Sequence, residues 1–104
     1  MNKILIIGRD LNFVWALKKM LKGENIEIDH IFTISEAKAR FERTKYDLII
    51  LDNLKPYEME FFLKIKPEDL KIITIDMENS SFFSIQKEIP HQNMLSYLKN
   101  FLNF

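Results

Sequence analysis

The stretch YDLIILD, residues 46–52, has the continuous apolar run that is typical of a β-strand covered on both faces. Such strands belong to parallel sheets that lie between two layers of helices. The stretch LKIITID, residues 70–76, repeats the pattern, and KILII, residues 3–7, opens the chain in the same way. These three runs predict an α/β fold in which each of them is a strand.

Amphipathic stretches separate the buried runs, which favours βαβ units over an all-α or an all-β fold. Their start and stop signals are helix caps, a left-handed glycine and prolines. In chain order we expect a helix capped by Asp10 and ended by Gly23, an alternating strand over 26–31, a helix from the capping box Thr33–Glu36 to about Arg43, a short helix after Pro56 that ends before Pro67, and a last helix from about His91 to Leu102.

Length and composition limit the classes of function. The 104 residues, 47% of them hydrophobic, predict a single domain over 1–104. Fifteen basic residues balance fifteen acidic ones, so we expect neither nucleic acid nor a membrane as partner. Cysteine is absent, which excludes disulfides and thiolate chemistry. The first apolar run is too short for a signal peptide, so a cytoplasmic protein is expected.

Four segments together resemble response-regulator receiver domains over nearly the whole chain: KILIIGRD, YDLIILDNLKP, KIITID and FFSIQKEIPHQNMLSYLKNFL. The resemblance implies a flavodoxin-like, doubly wound parallel sheet of four to five strands in a three-layer α/β/α sandwich. It also implies that Asp52 stands at the phosphoacceptor position. In such domains Mg²⁺ assists phosphoryl transfer, and two adjacent acidic residues after the first strand help to hold it.

Those two positions are Gly8 and Arg9 in this chain. Glycine supplies no ligand, and a guanidinium repels Mg²⁺ while offering its N–H groups to Asp52. Asp10 is acidic but stands one place later, where we expect it to cap the first helix. The sequence therefore predicts an Arg9–Asp52 ion pair and no metal cofactor.

Other positions that the resemblance places around the phosphoacceptor also differ. The expected Ser or Thr after the fourth strand is Asp76, whose negative charge would oppose phosphorylation of Asp52. The small residue expected next is Met77, which would crowd the access of phosphate. Lys87 does match the lysine of such domains, and it would add a second cation if the strand before it were parallel.

The segment between Asp76 and Lys87 has only ten residues, about half of what receiver domains use, which predicts that the fourth helix is missing or shortened. We favour a parallel fifth strand over 82–86 that follows an extended strap over 77–81. One alternative is an antiparallel hairpin, which would carry Lys87 away from the phosphoacceptor position. Another is a short helix over 80–88 with no fifth strand.

A missing helix would leave apolar side chains uncovered, and such a patch favours a protein partner or a homodimer. The residues that we expect on this interaction face are Ile73, Ile75, Phe82, Phe83 and Tyr97. Trp15 lies off the apolar line of the first helix, and we expect it to wrap the edge of the core; the alternative is that it anchors a contact with a partner.

The sequence thus favours a degenerate, pseudo-receiver-like domain of two-component signalling that acts through phosphorylation-independent protein contacts and is not an enzyme. One alternative is a phosphorylatable response regulator that uses Asp52, with Asp10 as a displaced Mg²⁺ ligand. Another is a small-ligand sensor with its pocket at the strand ends.

Overall fold

The computed structural model describes residues 2–64, 71–77, 82–88 and 91–102. These residues form five strands and four helices. The elements, in chain order, are β1 Asn2–Ile7, α1 Leu11–Met20, β2 Ile26–Ile31, α2 Ile34–Arg43, β3 Leu48–Asp52, α3 Pro56–Leu63, β4 Lys71–Ile75, β5 Phe83–Ile85 and α4 His91–Leu102.

The five strands form one parallel sheet in the order β2-β1-β3-β4-β5. The chain reverses its direction of winding between β1 and β3, so the fold is the expected doubly wound, flavodoxin-like one. Strand β3 lies at the centre, and all five of its residues are buried. Its unbroken apolar run is therefore explained by helices that cover both faces.

Two apolar clusters fill the space between the sheet and the helices. On the α1/α4 face, alternate strand residues pack against Val14, Leu17, Met94 and Leu98. On the α2/α3 face, the intervening strand residues pack against Ala37, Met59 and Phe62. Because side chains alternate along a strand, each apolar run contributes to both clusters. This arrangement confirms the three-layer α/β/α sandwich.

The short-range signals in the sequence behave as expected. The backbone N–H of Phe13 donates to Asp10 Oδ1 at 3.2 Å, so Asp10 caps α1. Thr33 caps α2 by accepting from the N–H of Glu36 at 3.4 Å, and Gly23 has a φ of +91°. Tyr46 lies outside β3, which begins two residues later than predicted.

The direction of β5 decides among the three paths expected for 82–86. The register pairs Ile73 with Phe83 and Ile75 with Ile85 in parallel, so the favoured path is confirmed, and the hairpin and the short helix are wrong. Strand β4 ends at Ile75, and β5 begins level with Ile73. Between the two strands the chain therefore has to go back along the sheet by only two residues, about 7 Å at a rise of about 3.3 Å per residue. Residues 76–82 can span this without a helix, although 78–81 lie outside the described residues.

The interaction face differs from the prediction. Ile73 and Ile75 are buried under α4, because they point toward the α1/α4 face. On the opposite α2/α3 face β4 and β5 carry Thr74 and Ser84, and the described residues Met77 and Phe82 pack against the cluster there. Phe83 and Tyr97 remain 44% and 39% exposed.

Trp15 does not wrap the edge of the core. It is 77% exposed on the outer side of α1, so the favoured prediction for this side chain is wrong. Among the described helices, none is long and apolar enough to cross a membrane.

Candidate functional site

The carboxyl ends of the parallel strands bring the predicted site residues to one edge of the sheet. Loops that follow β1, β3, β4 and β5 meet there, as expected for a doubly wound sheet. The predicted site residues that lie together at this edge are Gly8, Asp10, Asp52, Asp76 and Lys87.

Lys87 stands at the centre of the site. Its Nζ lies 2.8 Å from Asp52 Oδ1 and 3.0 Å from Asp10 Oδ2, and it also lies 5.1 Å from the centroid of the Phe13 ring. The ammonium thus bridges two carboxylates that come from different loops. Because β5 runs parallel to the other strands, the residues that follow it lie at the same edge of the sheet as Asp52, and Lys87 contacts Asp52 as the parallel path predicted. We name Lys87, Asp10 and Asp52 together the Lys87 cluster.

Asp76 holds Lys87 in place through the backbone. Its Oδ1 accepts from the N–H of Lys87 at 2.9 Å, and its own N–H donates to the carbonyl of Ile85 at 2.9 Å. Asp76 has a φ of +53°, a left-handed conformation that Asp tolerates better than most residues. Asn53, after β3, has a φ of +50°. Both strand-end turns are therefore fixed in conformations that most side chains disfavour.

Arg9 does not pair with Asp52, so that prediction is wrong. Its guanidinium donates to Glu58 Oε2 at 3.2 Å, and Glu58 Oε1 accepts from the N–H of Lys55 at 3.0 Å. The Glu58 side chain is only 6% exposed, so it needs a cation, while Lys87 already neutralises Asp52. Glu58 stands three residues after Lys55, the N-cap residue of α3. A glutamate at that position commonly accepts from the backbone N–H of the cap residue, so the spacing could have indicated that the Glu58 carboxylate lies at this edge.

Gly8 is required by the packing of two strand ends. A Cβ atom at this position would lie 2.7 Å from Asp52 Cβ and 3.2 Å from the Asp52 carbonyl oxygen. The carbonyl of Gly8 also lies 2.8 Å from His30 Nε2, and since a carbonyl can only accept, Nε2 carries the proton. Residue 8 therefore cannot hold a side chain unless Asp52 moves.

The charged groups of the Lys87 cluster shift one another's pKa. Burial raises the pKa of Asp52, and the ammonium of Lys87 opposes that shift only in part. The pKa of Asp10 is lowered by the hydrogen bonds from Lys87 and from the N–H of Phe13. Burial would lower the pKa of Lys87, but its hydrogen bonds to Asp52 and Asp10 outweigh burial and raise it.

These residues do not fit the Mg²⁺ site that the resemblance implies. Residues 8 and 9 offer no carboxylate, and the described part of the chain has no group of three or more His, Cys, Asp or Glu side chains that could hold a metal ion. The two carboxylates that do converge, Asp10 and Asp52, already share the ammonium of Lys87. The Asp52 side chain is also only 2% exposed, which limits access to it.

A small cavity opens beside the cluster. It has a volume of about 250 Å³ and is lined by Arg9, Asp10, Asp52, Asn53 and Lys55. Pockets for small organic ligands usually have volumes of about 300 to 1,000 Å³, so this one is below the usual range. A larger open groove, of about 440 Å³, lies between α2 and α3 rather than at the strand ends.

Comparisons with known proteins complete the description. No family model and no curated protein matches the chain. Among solved structures, a CheY-like response regulator receiver domain protein from Methanospirillum hungatei JF-1 is 24% identical, with a TM-score of 0.78 over 99% of this chain and 94% of that one. The signal receiver domain of a histidine kinase from Syntrophus aciditrophicus is 23% identical, with a TM-score of 0.79 over 99% and 91%.

A third similar structure contains the metal that the present site does not fit. The receiver domain of a sensor histidine kinase from Pseudomonas aeruginosa PAO1 has a magnesium ion coordinated in its active-site cleft. It is 15% identical to this chain, with a TM-score of 0.75 over 99% of this chain and 98% of that one. The likeness at these identities concerns the fold.

Proposed function

We propose, from the premise that the chain has the fold of response-regulator receiver domains, that it is a signalling domain of two-component type whose work does not depend on phosphorylation. It acts by contacting other proteins and is not an enzyme. The fold supports the link to two-component signalling, and the chemistry of the strand-end site supports the absence of phosphoryl transfer.

The missing acidic pair after β1 is the observation that carries this proposal, because residues 8 and 9 are Gly and Arg and offer no carboxylate for a metal ion. One ammonium group lies between Asp10 and Asp52 at 3.0 and 2.8 Å, so the charge that a divalent cation would neutralise is already neutralised from within the chain. A permanent internal cation leaves the carboxylate of Asp52 paired and covered. A carboxylate in that state is a poor acceptor for a phosphoryl group, which itself carries negative charge.

Phosphorylation can be tested directly. The purified chain is incubated with Mg²⁺ and acetyl phosphate, and its intact mass is measured by mass spectrometry. We expect the mass to remain unchanged. A gain of one phosphoryl group that disappears in Asp52→Asn would overturn the proposal and favour a phosphorylatable response regulator.

One observation favours that second candidate function. Asp10, which caps α1, also reaches the same ammonium as Asp52, so the two carboxylates converge on one point. If Lys87 swung away, Asp10 could serve as the displaced Mg²⁺ ligand. Titration with Mg²⁺, followed by the melting temperature, separates the candidates, since only a chain that binds the ion is stabilised by it. We expect no shift.

The small-ligand sensor is the weaker alternative, because the strand-end cavity is smaller than most ligand pockets. A thermal-shift screen with nucleotides and common metabolites tests it. A ligand that raised the melting temperature of the native chain but not that of Asp52→Asn would support the sensor.

The partner contact that we propose uses the exposed aromatic side chains at the β5 edge. Phe83 and Tyr97 have ring centroids 5.4 Å apart, and Phe83 lies 5.3 Å from the ring of Phe101. Strand β5 ends the sheet, so its outer backbone edge has no neighbouring strand among the described residues. An exposed aromatic group beside a free strand edge favours self-association, and we propose a homodimer through this face.

Sedimentation analysis over a range of concentrations tests the homodimer. We expect a dimer that dissociates on dilution and that is lost in Tyr97→Ser. Tyr57→Ser is the matched control, because Tyr57 is 73% exposed on α3, away from the β5 edge. A chain that sediments as a monomer at every concentration would contradict the dimer.

A further inference from the structure

The outer edge of β5 leaves two backbone groups without a hydrogen-bond partner. Strand β5 ends the sheet, and on its inner side the carbonyl of Ile85 accepts from the N–H of Asp76 at 2.9 Å. In a strand, the N–H and C=O of one residue point to the same side, and those of the next residue point to the opposite side. The N–H and C=O of Ser84 therefore point away from β4, where they meet no partner among the described residues.

The two edge strands of the sheet differ in charge. Strand β2, at one edge, carries Glu27 and Asp29, and charged side chains commonly protect a strand edge against pairing. Strand β5, at the other edge, consists of Phe83, Ser84 and Ile85 and carries no charge. Of the two edges, the one at β5 is therefore the better suited to accept another strand.

The side chains of β5 leave room for a second strand. Neighbouring strands lie about 4.7 to 4.9 Å apart, so a side chain that reached across the edge would prevent pairing. Ser84 is small, and its hydroxyl donates to the carbonyl of Met77 at 3.0 Å. Phe83 lies on the α4 side, with its ring centroid 5.4 Å from that of Tyr97 and 5.3 Å from that of Phe101. Both side chains thus contact their own chain, and the backbone edge stays accessible.

We propose that β5 pairs antiparallel with β5 of a second copy, so that two five-stranded sheets join into one continuous sheet. The twofold axis of this dimer passes beside Ser84. The N–H of Ser84 donates to the carbonyl of Ser84 in the second copy, and the carbonyl of Ser84 accepts in return. A twofold dimer requires a surface that complements itself, and a residue with a free donor and a free acceptor on one side provides it.

The aromatic side chains beside β5 add to this contact. Antiparallel pairing about Ser84 places Phe83 opposite Ile85 of the second copy, on the side of the sheet that α4 covers. Phe83 and Tyr97 are 44% and 39% exposed, so both have surface left to bury. Because β5 has only three residues, the main chain supplies few hydrogen bonds, and the dimer is expected to dissociate on dilution.

Two other arrangements fit the edge less well. An extended segment of an unrelated protein would find the same backbone groups, but β5 offers no charged side chain that would select such a segment. A dimer held only by the aromatic rings would leave the N–H and C=O of Ser84 in solvent. The variants below distinguish that dimer from strand pairing.

This inference deepens the homodimer of the proposed function and rests on it, because it names how the two copies are joined. A native chain that sediments as a monomer at every concentration would remove both. A native chain that dimerises, but whose dimer does not depend on the backbone of Ser84, would remove strand pairing alone.

Loss of one backbone N–H gives the first test. Proline has no N–H, and edge strands tolerate it where the N–H faces outward. We expect Ser84→Pro to weaken the dimer about tenfold or more in sedimentation analysis, because each copy loses the bond that it donates to the other. Ser84→Ala is the matched control, since it also loses the hydroxyl bond to Met77 but keeps the N–H. We expect Ser84→Ala to dimerise like the native chain.

A pair of charged variants tests the twofold axis and decides the matter if Ser84→Pro does not fold. Because residue 84 faces its own copy, like charges there lie directly opposite each other and repel. We expect Ser84→Lys alone and Ser84→Glu alone to be monomers, and an equal mixture of the two to dimerise. Ser35→Lys and Ser35→Glu are the control, since Ser35 is exposed on α2, and each of them should dimerise alone.

Two results would overturn the proposal. The first is a folded Ser84→Pro, with the melting temperature of Ser84→Ala, that dimerises as tightly as Ser84→Ala. The second is a failure of the charge pattern, either because Ser84→Lys and Ser84→Glu each dimerise alone or because their mixture stays monomeric. Either result would assign the dimer to side-chain contacts without strand pairing.

Discussion

Two lysines show how differently this small fold uses the same charge. Lys87, in the Lys87 cluster, has a side chain only 23% exposed and lies within 3.0 Å of two carboxylates. Lys18, on the outer side of α1, is exposed and has no ion-pair partner among the described residues. A half-buried ammonium must be neutralised within the protein, whereas an exposed one stays available to a partner. The first lysine therefore stabilises the fold, and the second remains in contact with solvent.

The largest effect that would sharpen this comparison is the loss of Lys87. Removing one partner of a buried ion pair usually costs about 3 to 5 kcal/mol, so we expect Lys87→Met to lower the free energy of unfolding by about that amount. Urea denaturation measures it. The matched change Lys18→Met should stay within about 0.5 kcal/mol of the native chain.

A double-mutant cycle distinguishes the ion pair from other contacts of Lys87. In a background of Asp52→Asn the same Lys87→Met change should cost clearly less, because the charge that Lys87 neutralises has been removed. Equal costs in both backgrounds would mean that Lys87 stabilises the fold by packing, for example against Phe13.

The pH dependence of stability provides a second comparison. The folded-state pKa of Lys87 is raised above its ordinary value of 10.5, so its contribution is present below pH 10.5 and is lost as the pH rises through the folded-state pKa. We expect the stability difference between the native chain and Lys87→Met to shrink above that pH. Urea unfolding at a series of alkaline pH values measures it, and a constant difference would contradict the ion pair.

The two glycines provide the next comparison, since one lies at the Lys87 cluster and the other does not. Gly8→Ala places a Cβ 2.7 Å from Asp52 Cβ, and overpacking of this kind costs about 1 to 3 kcal/mol. Gly23→Ala meets no atom within 4 Å, so its cost comes from the left-handed backbone and should be about 1 kcal/mol.

Spectroscopy of the site separates the two glycine variants further. Gly8→Ala should shift the NMR signals of Asp52 and Lys87, because Asp52 must move to admit the new methyl group. Gly23→Ala should leave these signals unchanged. A Gly8→Ala variant as stable as the native chain would show that β1 and β3 approach less closely than described.

The smallest effect is expected at the other ion pair of this edge. The Arg9 side chain is 55% exposed, so solvent screens its pairing with Glu58, and Arg9→Ala should cost about 1 kcal/mol or less. Thermal unfolding measures it. If Arg9→Ala were as costly as Lys87→Met, Arg9 would have to be regarded as a second essential cation of the site.

Most of the fold could be predicted because its signals are local. The buried run at 46–52, the cap at Asp10 and the glycine at 23 each act on neighbouring residues, so a short segment contains the whole cause. The position of Lys87 could be predicted only as one of three alternatives. That position depended on whether β5 runs parallel to β4, and the pairing with β4 decides this direction, not the sequence of the segment itself.

The errors arose where the outcome depends on distant residues. The alternation of side chains along β4 places Ile73 and Ile75 on one face of the sheet. The segment itself does not reveal that α4 covers this face. Arg9 was expected to pair with Asp52, whereas its guanidinium donates to Glu58, which lies 49 positions away along the chain. Trp15 was expected to wrap the edge of the core, although Val14, Leu17 and Leu21 already fill the core-facing side of α1.

The sequence by itself determined the α/β class, the order of the elements and the absence of carboxylates at residues 8 and 9, because periodicity, caps and residue types are properties of short segments. Only the tertiary structure decided that Lys87 bridges Asp10 and Asp52 and that Arg9 pairs with Glu58. The physical reason is that ion pairing and burial depend on the distance between side chains in space. Packing of the whole sheet sets that distance.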